Sequence, residues 1–502
     1  MTGLLHPLYP GKLDKALLER VAAGGARFSI AQSIRGSMGA SVRAVRELVT
    51  QYQPVFGINS GFGSLGPTRI RDDHLSQMQR NLVLSHSVGV GAALQAPVVR
   101  LMLFLKAASL AHGLSGVRDE IVDGLLALLA ADVLPVVPEK GSAGVSGDLA
   151  ALAHLSGLLI GVGEAHVDGR RVPASQALVQ AGFAPLELAP KEGLALISGT
   201  QASTALAIHA LQRLERIFDT AVAVGAMSLD AVKGSDTPFD DRIHAARGQP
   251  GQREVAGRYR AWLFSSELRQ PHQHTEQVQG PYCLRCQPQV MGACLDQMRH
   301  VSTVLMAEAN SASDNPLVFA ETLEALSGGN LHDEPVAFAA DNLALAIAQI
   351  GALSERRTAL MVDPALSGLP AFLVQDSEFN TGFRIGQATA AALVAENKTW
   401  ARPASVDEPA TTAGQEENQA TAFVAARRLH SMLDNTASVV AIEWLAAAQA
   451  LDFRRPLQSS PALEQLHVQV RDRVPHLEKD RPIAPDVTAA TALVEAGVSA
   501  PD

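Results

Sequence analysis

Val336 to Met361 and Thr421 to Leu451 are longer than typical globular helices, rich in alanine and leucine, and apolar around much of their circumference. A helix without a continuous polar face must be covered on several sides, so such stretches fold as inner members of a bundle, here one expected to continue across subunits. The same helical periodicity recurs at 96–112, 117–132, 148–162, 201–232, 335–362, 384–398 and 418–451, whereas sustained alternation is scarce. The chain is therefore expected to be mainly α. Of its 502 residues 47% are hydrophobic but only 4% aromatic, which describes a core of Ala, Leu and Val suited to closely packed helices. The expected division is a smaller N-terminal region over 1–200 and a long-helix bundle with the C-terminal region over 201–502. Glycine- and proline-rich punctuation at 54–67, 139–147, 193–199, 278–292 and 363–370 places candidate chemical motifs on loops and helix starts.

A formal charge of −10 disfavours nucleic acid and anionic membrane as partners, because both attract basic surfaces. Met1-Thr-Gly-Leu-Leu-His-Pro7 has neither a basic n-region nor a continuous apolar h-region. The apolar stretch Leu149 to Gly163 is interrupted by His154 and too short to span a bilayer, so the expectation is a cytoplasmic protein without a membrane partner. Cys283, Cys286 and Cys294 are an odd set and cannot make a complete disulfide framework. Cys283-Leu-Arg-Cys286 has a zinc or redox spacing but no second pair to complete it, and Gly61-Phe-Gly63 lacks the strand, helix and acid of a dinucleotide site. No metal or nucleotide is expected.

The candidate chemistry lies at 141–150, Gly-Ser-Ala-Gly-Val-Ser-Gly-Asp-Leu-Ala. A serine preceded by a small residue and followed by glycine can cyclise when the glycine nitrogen attacks the carbonyl two residues back. Loss of water then leaves a five-membered ring with an exocyclic methylidene, and only glycine lets the backbone fold so tightly. The plain alternative is a glycine-rich turn in which Asp148 caps the apolar run from Leu149.

The chain resembles the histidine and aromatic amino acid ammonia-lyases, most of all their bacterial histidine branch. The resemblance is carried in family order by Phe56-Gly-Ile-Asn-Ser-Gly-Phe-Gly63, Gln79-Arg-Asn-Leu-Val-Leu-Ser-His86, the decapeptide with its continuation to His154, Gly199-Thr-Gln201 and Pro281-Tyr-Cys-Leu-Arg-Cys-Gln-Pro-Gln-Val290. Ser313-Asp-Asn-Pro-Leu317, Ser327-Gly-Gly-Asn330, Leu353-Ser-Glu-Arg-Arg357 and Gln415-Glu416 complete the set. It implies an aromatic ammonia-lyase-like long-helix bundle, a homotetramer whose active sites each draw on three chains, and a 4-methylidene-imidazol-5-one formed from Val145, Ser146 and Gly147. It also implies that Tyr282 accepts a proton and Arg285 grips the substrate carboxylate, while Gln279, His86 and Glu416 surround the amine and the ring.

Several positions depart from the family. Valine stands at 145 where alanine is usual, Phe56 replaces the inner-loop tyrosine, and Ser198 replaces the asparagine that assists ring formation. Leu331 stands for a phenylalanine, and Arg384 for a methionine at the imidazole end of the pocket. Three functions are compatible with this pattern. The first is elimination of ammonia from histidine or a related aromatic amino acid, giving a trans-2-enoate such as urocanate in amino-acid catabolism. The second is ring-independent elimination of trimethylamine from a histidine betaine, as in the relatives called ergothionases. The third is a catalytically impaired homologue that binds a ligand.

Overall fold

The computed structural model describes residues 5–51, 53–61, 68–142, 147–269, 280–406 and 421–501. Val145, Ser146, Gln279 and Glu416 lie outside the described residues. The chain is mainly α: among the described residues the strands are short and form only two- and three-stranded sheets. Contacts gather into two compact units, one of 1–209, 302–340 and 403–427, the other of 210–301, 341–402 and 428–502.

In the first unit, β1 (Leu5–Leu8) pairs in parallel with β2 (Arg27–Ile30), and α1 (Lys15–Ala23) lies between them in the chain, followed by α2 (Gln32–Thr50) and α3 (Leu75–His86). Next come α4 (Ala96–Leu110), α5 (Asp119–Ala130) and α6 (Leu149–Gly157), then α7 (Ala174–Ala181) and α8 (Glu192–Ile197). α4 is buried from Leu101 to Leu110, and α1 and α5 pack on it. α3, α6 and α8 pack on one another. α8 occupies a stretch read above as glycine-rich punctuation. Gly193 there sits where a Cβ would come within 2.4 Å of the Gln79 carbonyl oxygen, so the glycine serves close helix packing instead of a turn.

The remaining helices are α9 (Gln201–Ala231), α10 (Asp241–Arg247), α11 (Pro250–Leu263), α12 (Tyr282–Arg285), α13 (Gln287–Ala309), α14 (Glu334–Val362), α15 (Pro364–Ser367), α16 (Arg384–Trp400), α17 (Ala422–Asp452), α18 (Pro461–Arg471) and α19 (Ala484–Ala496). The seven stretches with helical periodicity correspond to α4, α5, α6, α9, α14, α16 and α17. α14 is long and apolar enough to cross a membrane, yet 72% of its apolar window is buried within the protein, the environment of a core helix. In α17, the run from Val439 to Leu451 is buried throughout, alanines included, as the sparse aromatic composition required.

At the centre of the second unit, Arg357 and Glu443 are fully buried and paired in a fork, with Nε 2.5 Å from Oε1 and Nη2 2.7 Å from Oε2. Burial works against the Arg357 charge, but the charge and hydrogen bonds of Glu443 outweigh it and raise the guanidinium pKa. Ser228 Oγ donates to Glu443 Oε1 at 2.6 Å, Arg357 Nη1 donates to Gln287 Oε1 at 3.1 Å, and Tyr259 Oη donates to the same oxygen at 2.6 Å. Gln287 Nε2 in turn donates to the Leu284 carbonyl at 3.1 Å, so this buried network holds the turn that carries Tyr282 and Arg285. Glu443→Gln leaves the buried Arg357 charge without its counter-charge. It is expected to lower stability by about 3–5 kcal/mol, measured by denaturant unfolding, whereas a loss under about 1 kcal/mol would contradict this account.

Candidate active site

Gly147 is fixed by its surroundings. Its φ is +84°, and a Cβ placed on it would lie 2.4 Å from the Gly199 carbonyl oxygen and 3.1 Å from that of Leu331. No residue with a side chain fits there. Gly147 bridges to Gly199 in parallel, and the Asp148 amide donates to the Gly199 carbonyl at 2.9 Å. These contacts bring three predicted site positions together: Gly147, Ser198 through its neighbour Gly199, and Leu331.

Asp148 precedes α6 but its side chain makes no cap to that helix, contrary to the turn reading. Its Oδ2 instead accepts from the Ala202 amide at 2.9 Å, the Ser203 amide at 2.7 Å and Ser203 Oγ at 2.9 Å. Those amides open α9, so Asp148 caps a helix distant in sequence and ties the Gly147 turn to it. Burial pushes its pKa up to about 6 against the pull of the Ser203 and Ala202 donors.

Ser198 is buried, with its Oγ lacking a hydrogen-bond partner. Its carbonyl accepts from Lys106 Nζ at 2.5 Å. Lys106 sits within the apolar run of α4, and burial lowers its pKa to about 7. The sequence reading did not single it out, although a lysine flanked on both sides by buried apolar residues was a visible signal. A second buried lysine, Lys191, pairs with Asp314 of the Ser313–Leu317 motif at 2.6 Å.

Phe56 is itself exposed, on a loop that turns inward at the next residue, Gly57, whose φ is +72°. Gln79 of α3 fastens that loop: its Nε2 donates to the Gly57 carbonyl at 3.2 Å, and its Oε1 accepts from the Leu194 amide of α8 at 2.9 Å. α8 ends where Ser198 begins. His86 closes α3, with Nδ1 2.8 Å from the Leu82 carbonyl. A hydrogen on Nδ1 there leaves Nε2 as the acceptor of the neutral ring.

In the second unit, Tyr282 and Arg285 share α12, and the guanidinium lies 4.4 Å from the centre of the Tyr282 ring. Tyr282 is 71% exposed, and Arg285 Nε is buried without a partner, a donor left for a ligand. Cys283 and Cys286 are free thiols, and no group of residues able to hold a metal occurs among the described residues. Arg384 opens α16, exposed, with its guanidinium 5.7 Å from the Phe372 ring centre. Its contact is thus an aromatic face.

A long-helix fold with Gly147 locked in this way, directly after a serine in the sequence, is the arrangement of a carbon–nitrogen lyase of the ammonia-lyase type. A model of the aromatic amino acid lyase family matches residues 13–472. The chain is 54% identical to the histidine ammonia-lyase of Aromatoleum aromaticum over 98% of its own length and 94% of that protein. It superposes on the crystal structure of histidine ammonia-lyase from Trypanosoma cruzi with a TM-score of 0.90 at 36% identity, covering 98% of this chain and 94% of that one. Ergothionase from Treponema denticola is similar at a TM-score of 0.93 and 25% identity, with 98% and 99% of the two chains covered. The chain belongs to the aromatic amino acid lyase family.

Proposed function

We propose that this protein eliminates the α-amino group of histidine as ammonia and releases urocanate. The observation that carries the chemistry is the clamp on Gly147, which admits glycine alone beside Ser146, and near-full-length kinship with histidine ammonia-lyases supports the substrate. The residues present fit a 4-methylidene-imidazol-5-one made from Val145, Ser146 and Gly147: the glycine is held at positive φ, and the Ser198 hydroxyl next to its bridging partner is buried and unspent. That group supplies the electrophile that takes up the substrate amine and makes it a better leaving group.

The chain's own residues do the rest. Arg285 holds the substrate carboxylate through its planar fork, with the unspent Nε among its donors. Tyr282 accepts the β-proton, because Phe56 has no atom that can. His86 presents Nε2 to the substrate, and the family resemblance assigns Gln279 and Glu416 to substrate binding. Leu331 and Arg384 shape the ring end of the pocket. Assembly into a homotetramer brings these groups together from three chains.

Incubation with histidine should raise the ultraviolet absorbance of urocanate with an equal yield of ammonia, and the intact chain should weigh two waters less than its sequence. Absence of both the product and the deficit would refute this reading. A second reading is favoured by Ser198, whose short side chain makes no hydrogen bond at the position of the family's asparagine. A substrate with a quaternary nitrogen already carries its leaving group and needs no ring, so release of trimethylamine from ergothioneine by a chain of full mass would support that alternative. Under the first reading, Ser198→Asn restores the longer donor and is expected to raise histidine turnover by up to about a hundredfold, provided the melting temperature shows that the larger side chain is accommodated.

A further inference from the structure

Lys106 stands in the buried run of α4, between Leu105 and Ala107, and is itself 1% exposed. An ammonium in such surroundings is costly to keep, and a methionine would fill most of the same space without that cost. Burial opposes its charge, Asp314 and Asp148 favour it, and Lys191 opposes it. The two carboxylates are committed to other donors. Asp314 Oδ2 accepts from Lys191 Nζ at 2.6 Å and its Oδ1 from the Asn315 amide at 2.7 Å, while Asp148 Oδ2 accepts from Ala202 and Ser203 at the start of α9. Lys106 Nζ reaches instead a backbone oxygen, the Ser198 carbonyl, at 2.5 Å.

That carbonyl lies one residue from the Gly147 bridge. Ser198 turns extended directly after α8, with φ −78° and ψ 139°, and its amide donates to the Leu194 carbonyl at 2.9 Å. Gly199 follows at φ +118°, where a Cβ would meet Gln201 Oε1 at 2.7 Å, and its own carbonyl accepts from the Asp148 amide at 2.9 Å. The Ser198–Gly199 peptide is therefore part of the wall against which Gly147 is set, and Lys106 ties that peptide to α4, a helix packed by α1 and α5. A tie that burdens stability and ends beside the Gly147 bridge serves alignment better than it serves folding.

We propose that Lys106 is a positioning residue for the elimination reaction: its ammonium holds the Ser198–Gly199 peptide in the register that sets Gly147. The proposal rests on the reading of this chain as a lyase that turns over histidine. Arg285, which grips the carboxylate in that reading, lies on α12 and is not held through Lys106, so loss of the ammonium is felt in kcat and not in KM. A displacement of about 1 Å caused away from the reacting atoms is worth up to about a hundredfold in rate.

Lys106→Met keeps the stem of the side chain and removes its donor, whereas Lys106→Arg keeps a cationic donor. Intact mass, melting temperature, kcat and KM for histidine are compared among the wild-type, K106M and K106R full-length chains. K106M is expected to melt at or above the wild-type temperature and to show the same two-water deficit against its own sequence. Its KM should stay within about twofold of wild type while kcat falls by about tenfold to a hundredfold, and K106R should recover most of that loss. K106M with the wild-type kcat, a rise in KM matching the fall in kcat, or a folded K106R no faster than K106M each overturns the proposal and leaves the function standing. K106M without the deficit that the wild type carries overturns it as well, because the loss then precedes turnover. A wild-type chain that makes no urocanate overturns the proposal together with the reading on which it rests. Should K106M fail to fold, a folded K106Q chain, whose neutral donor stops one atom short, decides the matter: kcat lowered with KM kept supports the proposal, and the wild-type kcat overturns it.

Discussion

Ser146→Ala is expected to lower kcat for histidine by about a thousandfold or more and to return the chain to the mass calculated from its sequence. The scale is that of removing a covalent participant while binding groups remain. The substitution removes only a hydroxyl, and the clamp on Gly147 depends on the glycine backbone, Gly199 and Leu331, so the melting temperature should stay within a few degrees. Mass spectrometry and the urocanate assay read the two halves of this prediction separately. Loss of turnover in the alanine chain, alongside a wild-type chain that itself carries no two-water deficit, would mean that the serine acts without cyclising. Turnover close to wild type would transfer the chemistry to a site that needs no ring.

Tyr282→Phe is expected to reduce kcat by about two to four powers of ten, the range associated with loss of a positioned general base, with KM changed far less. The separation follows from geometry. The Arg285 guanidinium lies 4.4 Å from the Tyr282 ring centre, and a phenylalanine presents the same aromatic face to it, so the carboxylate anchor should survive the loss of the hydroxyl. A rise in KM equal to the fall in kcat would show that Tyr282 binds substrate instead of moving its proton. Retention of more than about a tenth of the wild-type kcat would assign the base to another residue.

How far the site was legible can be argued from particular residues. The 141–150 segment announced possible cyclisation through composition alone, since small residues around a serine–glycine pair are a local property. Asp148 did not follow the local rule: next to the apolar run of α6 it reads as that helix's cap, yet its carboxylate serves the amides of Ala202 and Ser203. No sequence pattern could pair residues so far apart. Gly193 likewise reads as turn punctuation and serves helix packing. Lys106 was detectable as a charge inside an apolar helix, but its target, the Ser198 carbonyl, was not. Asp333 gave no signal at all, because an aspartate before a helix is an ordinary cap until its two oxygens are found buried without a donor.

The sequence by itself determined the helical class, the positions of the seven helices with strong apolar period, and the family to which the chain belongs. Each of these is written in spacing along the chain: a period of 3.6 residues, or ordered short motifs. Tertiary structure alone decided which glycine must remain glycine, which helix Asp148 caps, where a buried arginine holds the Tyr282 turn, and which carboxyl burial pushes above the usual carboxylate range. Those outcomes depend on burial and on distances between residues remote in sequence. The energy of a charge or a close contact is set by what surrounds it in space, and the order of residues does not state that.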